Sequence, residues 1–288
     1  MSTKRKAEKK ARKTDEEKLK IVSSLVVMDD AMFEAMCESP EFIEEMLQTI
    51  LGNPDLRIIH DSVVAQKSIK NLKGRSVRLD AYVLGEEDKV FNIEIQCADN
   101  CNHVKRVRYN ASVITANNSE PGDEFDDIQD LCVVYITQKD FLKKGLTMYH
   151  VQNTIQETHD VIDNGLTEIY VNTENNDGSK VAELMALFNK KELDDNDRKE
   201  FPSTYKKFHS LKHDKSEVNR MCEKIEKYAK KYAEEYAEEE KIGLCISMCI
   251  KFNQSREETI SELIQRFNLT EEDAEEYYDE YCDEAVQQ

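Results

Sequence analysis

The sequence predicts an α/β domain, a mixed sheet flanked by helices, followed by an acidic helical C-terminal region. Three observations predict it. Val77–Gln96 reads as two strands of alternating residues joined by the turn Gly85–Lys89. A helix over Val104–Ala116 then leads into Leu131–Thr137, a continuous apolar run of the kind that a strand buried on both faces requires. From Glu217 onward Pro is absent, Gly is confined to Gly243, and Glu, Lys and Tyr dominate.

The chain has 288 residues, enough for one large domain with an appendage. Charged residues make up 34% and hydrophobic ones 39%, which suits a soluble globular chain with polar surfaces. The formal net charge of −19 argues against a protein that coats nucleic acid without specificity, but it leaves room for a local basic groove. No secretory pattern and no membrane-spanning run is present, so the eight cysteines are expected as reduced thiols and the location as cytoplasmic.

In chain order, residues 1–20 form a basic tail (KRKAEKKARK) with almost no apolar content, expected to be disordered or frayed. Apolar residues from Val27 to Ile50 recur at helical spacing, and Pro40 divides them into two helices. Gly52-Asn53-Pro54 stops the second. Leu56–Ser68 has the β-branched content of a first strand, and Asn71–Arg75 is a turn carrying Lys73 and Arg75. After the hairpin, Cys97–His103 is a polar loop and Asn117–Asp127 another. Strand, helix, strand in that order implies a parallel pair. Glu168–Asn172 is a further strand, Lys180–Asn189 a helix, and Ser210–Ser216 the linker. The expected domains are therefore a tail over 1–20, a core over 21–210 and a helical region over 211–288. In the last region Ala229, Ala233 and Ala237 share one helix face beside Tyr228, Tyr232 and Tyr236, and Thr270-Glu271-Glu272-Asp273 starts the last helix.

The hairpin carries the chemistry. Arg78, Asp80, Tyr82 and Leu84 share one face of its first arm, and Val90, Asn92, Glu94 and Gln96 one face of its second. Centring the turn on Glu87 puts Asp80 across from Glu94 and Arg78 across from Gln96. Directly opposed side chains have Cβ atoms about 4.5–5.5 Å apart, so two carboxylates would lie side by side. Like charges there are destabilising unless a divalent cation uses them.

Asp80, a hairpin and then Glu94-Ile95-Gln96 resemble the PD-(D/E)XK nuclease motif in its E-x-Q form. More narrowly, Arg75–Asp80, Asn92–Gln96 and Arg106-Val107-Arg108-Tyr109 resemble the recombination-promoting nuclease family, also described as PD-(D/E)XK nuclease family transposases. Asp30-Ala31-Met32-Phe33 resembles that family's D-x-x-F element. The resemblance implies a restriction-endonuclease-like fold and a metal-dependent DNA endonuclease. Asp80 and Glu94, with the carbonyl of Ile95, would hold Mg²⁺ or Mn²⁺, and Gln96 would position water or phosphate. Gln96 stands where many relatives carry Lys, which leaves the proton acceptor unassigned. Lys105, Arg106 and Arg108 would grip DNA phosphate, with Arg78 in the same patch and Tyr109 able to stack or hydrogen-bond. Asp30 either joins the site or caps its helix.

Other constellations are weaker. Cys97, Cys101 and His103 have zinc-like spacing but no partner pair, so loop thiols are expected. Cys245 and Cys249 lie four apart on an apolar helix, as core packing requires. No P-loop or dinucleotide-binding glycine pattern is present. The alternative function is a catalytically inactive nuclease scaffold that binds DNA or a protein through its C-terminal helices, a region that could also pair with another copy of the chain.

Overall fold

A computed structural model describes residues 16–70, 76–86, 88–97, 102–252, 254–271, 273–275, 277–279 and 281. The expected turn at 71–75 and residues 98–101 of the expected Cys97–His103 loop lie outside the described residues, as do the side chains of Tyr232 and Tyr236. Contacts divide the chain into two compact units, one up to Glu223 and one from Lys224.

The first unit opens with helix α1, residues 16–24, so the end of the expected tail is helical. Helices α2 (Asp30–Cys37) and α3 (Pro40–Leu51) follow, divided at Pro40 as expected. Proline suits that position because the first helical residue needs no backbone donor, and Ser39 caps the helix by accepting from the Phe42 N–H. Gly52 ends α3 at φ 61°, in the left-handed region where glycine carries no steric penalty.

Six strands make one sheet: β1 (Val64–Ile69), β2 (Val77–Leu84), β3 (Val90–Gln96), β4 (Leu131–Thr137), β5 (Met148–Val151) and β8 (Leu166–Asn172), in the order β1-β2-β3-β4-β8-β5. β1, β2 and β3 are antiparallel neighbours, β3, β4 and β8 run parallel, and β5 closes the far edge antiparallel to β8. Helix α4 (His103–Asn118) connects the parallel pair β3 and β4. β4 is buried along its whole length, which its uninterrupted apolar run foretells. β1 is shorter than expected: Ile58 makes only an isolated bridge to Gly85, and His60–Ser62 is a 3₁₀ turn. The sequence reading omits β5 and the two-stranded ribbon β6 (Asn153–Thr154) with β7 (Val161–Ile162), whose residues are largely exposed.

Helices α5 (Lys180–Phe188), α6 (Asp195–Glu200) and α7 (Pro202–His213) complete this unit. Glu45 of α3 receives the backbone N–H groups of Ser203 and Thr204 and the Thr204 hydroxyl, so α3 caps α7. Only Asp214 separates α7 from α8 (Lys215–Lys251), so residues 210–216 carry helix ends rather than an extended connection. In the second unit the far half of α8 packs Ile242, Cys245, Ile246 and Cys249 against Ile260 and Leu263 of α9 (Arg256–Phe267), with Cys245 and Cys249 in the core as expected. Thr270 caps the last helical residues by accepting from the Asp273 N–H.

Candidate active site

The β2–β3 ladder pairs Ala81 with Ile93, Tyr82 with Asn92, Val83 with Phe91 and Leu84 with Val90. The next position in that register brings Asp80 opposite Glu94, the pairing expected from a turn centred on Glu87. The ladder ends there because Asp80 replaces a backbone partner with its side chain: its Oδ2 accepts the Ile95 N–H at 2.9 Å. On the other side the Gln66 amide donates to Asp80 Oδ1 at 3.1 Å. Gln66 sits in register with Asp80 on β1 and has φ 56°, a left-handed conformation that costs a glutamine about 1–3 kcal/mol.

This local distortion corrects the single-face reading of β2. Val77 and Leu79, which strict alternation would oppose to Tyr82, belong to the same buried cluster as Tyr82 and the α4 residues Val107, Ala111 and Ile114. The strand therefore changes phase around Asp80, and Arg78 is exposed.

Glu94 is 1% exposed, and neither of its carboxylate oxygens has a hydrogen-bond partner among the described residues. Burial pushes its pKa well above the usual carboxylate range, and the neighbouring Asp80 charge pushes it further. The Asn92 amide, two residues earlier on the same strand, opposes that shift without reaching hydrogen-bond geometry. Asp80 is pushed up to about 6, chiefly by burial and also by the charge of Asp30, against the stabilising bonds from Ile95 and Gln66. Asp30 is the first residue of α2, with Asp29 at the cap position. Of its two readings, proximity to the site is the one the geometry supports.

Gln96 lies at the end of β3, and its Oε1 accepts from Arg106 Nη1 at 2.7 Å. Arginine can only donate, so this bond fixes the amide with its carbonyl toward Arg106 and its NH₂ turned away. Gln96 can then donate to a phosphate oxygen or to water but has its carbonyl engaged. Asn102 caps α4 by accepting from the Lys105 N–H at 3.3 Å and so sets where Arg106 emerges. Lys105 and Arg108 are exposed on the same helix. Arg108, two residues on from Arg106, leaves a different side of it. Tyr109 is half-buried and packs against the core between α4 and the sheet.

Of the zinc-like residues, the two described ones have other partners. Cys97 donates to the Met28 carbonyl at 2.7 Å, His103 is buried with Nδ1 3.1 Å from the Tyr135 hydroxyl, and Cys101 lies outside the described residues. Among the described residues no group of three or more His, Cys, Asp and Glu side chains is arranged to hold a metal ion. Asp80 and Glu94, with the Ile95 carbonyl that the resemblance adds, could offer a donor set that is all oxygen. That set fits Mg²⁺ or Mn²⁺, since Mg²⁺ is commonly held by one or two carboxylates and keeps water elsewhere. The unpartnered oxygens of Glu94 are the structural observation that agrees with such a fit.

Among the described residues no helix is long and apolar enough to cross a membrane. A family model described as PD-(D/E)XK nuclease family transposase matches residues 31–244. No curated protein and no solved structure gives a match to the chain.

Proposed function

Because the chain belongs to the PD-(D/E)XK nuclease family transposases, we propose that it is a divalent-metal-dependent DNA endonuclease. The carrying observation is the buried Glu94 carboxylate with two unpartnered oxygens beside Asp80. Leaving such a group without a partner is costly, so the arrangement makes physical sense as a site that a cation completes.

Asp80, Glu94 and the Ile95 carbonyl would hold the ion, which when bound supplies Lewis-acid polarisation of the phosphate and a lowered pKa for water. The chain's own contribution is positional. Asp80 is pinned through both oxygens by the Ile95 N–H and the Gln66 amide, so it meets a ligand already oriented. Glu94 brings open lone pairs. The Gln96 NH₂ donates to a phosphate oxygen or orients the attacking water. Arg106 carries positive charge to the same end of β3 and favours the extra negative charge of the transition state. Lys105, Arg108 and Arg78 extend the exposed positive surface along the DNA backbone.

Purified protein and supercoiled plasmid test this directly. Nicking with Mg²⁺ or Mn²⁺ that EDTA and Glu94→Ala both abolish is the expected result. A folded protein that nicks in neither metal would instead favour an inactive scaffold that binds through its C-terminal helices.

A further inference from the structure

Among the described residues, four buried side-chain polar atoms lack a hydrogen-bond partner: both carboxylate oxygens of Glu94, and Oδ1 and Nδ2 of Asn92. Asn92 has no exposed surface. Within the sheet it stands between Tyr82 on β2 and Val133 on β4, a setting in which leucine would fill space without stranding polar atoms. An amide there is unfavourable for the metal-free fold and calls for another explanation. It lies two positions before Glu94, with Ile93 between them, so both side chains leave the same face of β3.

Asp80 shows what such an amide can do. The Gln66 amide already holds Asp80 Oδ1 from the neighbouring strand. A neutral donor favours an ionised carboxylate yet adds no cation to compete with a divalent ion for its charge. Carboxylate ligands to metals are themselves held by such hydrogen bonds.

We propose that Asn92 is the positioning residue of Glu94, its Nδ2 donating to one oxygen of the ionised carboxylate while the other oxygen holds the divalent cation. Gln66 and Asn92 then form a pair of neutral donors, one for each carboxylate. This inference rests on the metal-site reading above and adds to it a residue outside the D…E-x-Q pattern.

The test uses full-length protein, Mn²⁺ binding by calorimetry, and melting in EDTA. Asn92→Leu should weaken Mn²⁺ binding about 10–100-fold. It should also raise the melting temperature in EDTA by roughly 2–4 °C, the shift for relieving a modest cost in a domain of this size. A structural role moves melting the other way. Should the leucine variant not fold, Asn92→Ser is compared with Asn92→Ala: serine keeps a donor and should bind Mn²⁺ more tightly, and equal affinities overturn the proposal. Wild-type affinity in Asn92→Leu, alongside a loss in Glu94→Gln, would overturn this inference alone. Equal or absent binding in wild type and Glu94→Gln would overturn the metal site, and this inference with it.

Discussion

Asp80→Asn should change the stability of the metal-free protein with a sign that depends on pH. In the fold the Asp80 carboxyl is pushed from its ordinary 3.8 to about 6 by burial first, with the charge of Asp30 adding to it. The folded state therefore holds this proton more tightly than the unfolded chain. The stability it contributes is fully present below pH 3.8 and is lost as pH rises through about 6. A difference of that size corresponds to about 3 kcal/mol. Asparagine cannot ionise and escapes the loss. It can accept from only one of the two donors now shared between Ile95 and Gln66, which costs about 1 kcal/mol. In EDTA the variant should be less stable than wild type by about 1 kcal/mol at pH 4 and more stable by about 2 kcal/mol at pH 8. Urea titrations read by ellipticity at several pH values supply both curves, and their difference cancels the titration of the many surface carboxylates. Millimolar Mg²⁺ at pH 8 should stabilise wild type and not the variant. A wild-type minus variant difference that stays flat from pH 4 to 8 would refute the raised pKa and the reasoning built on it.

Gln66→Gly relieves a left-handed backbone and removes a donor to Asp80, so metal-free stability should stay within about 1 kcal/mol of wild type while Mn²⁺ affinity falls, as calorimetry would show. Arg106→Ala should lower kcat for plasmid nicking by about 10²–10³ with little change in melting temperature, because the side chain is exposed and its role is charge stabilisation. Gln96→Lys places an ammonium against the guanidinium that now donates to Gln96, so nicking should fall, and Gln96→Lys with Arg106→Gln should recover part of it. A single Gln96→Lys variant as active as wild type would count against the proposed division of labour between these two residues.

The hairpin register is legible because the turn centre fixes which residues face each other and β3 keeps its alternation, and the observed pairing agrees with it. The division of the first helices is legible because Pro40 suits a helix start and no helix interior. Other features leave no sequence signal. Nothing marks Gln66 for a left-handed backbone, and without that kink the phase change at Asp80 is invisible. β5 and the β6–β7 ribbon are short and mostly exposed, so they lack the apolar periodicity by which strands are recognised. Within the site, the carboxylates, Gln96 and Arg106 follow from motif and spacing. Gln66 and Asn92 do not, because their interest lies in which buried amide finds a partner and which does not.

The acidic balance of the chain and the proposed substrate are reconciled at the end of β3. Without a cation this end of the sheet gathers Asp30, Asp80 and Glu94; burial is the main cause of the raised pKa values of the last two, and the neighbouring acidic charges add to it. A phosphate would meet the same repulsion. Arg106 alone does not offset it, since its effect on both carboxylates is smaller than that of burial. A divalent ion held there, as proposed, would add two positive charges where the carboxylates converge and would turn a local field that repels phosphate into one that attracts it. The exposed Lys105, Arg106 and Arg108 then work with the ion rather than against the surrounding charge. If the proposed site holds its ion, metal and DNA phosphate would bind cooperatively, and the net charge of −19 would act as a filter, disfavouring adsorption to nucleic acid away from the ion.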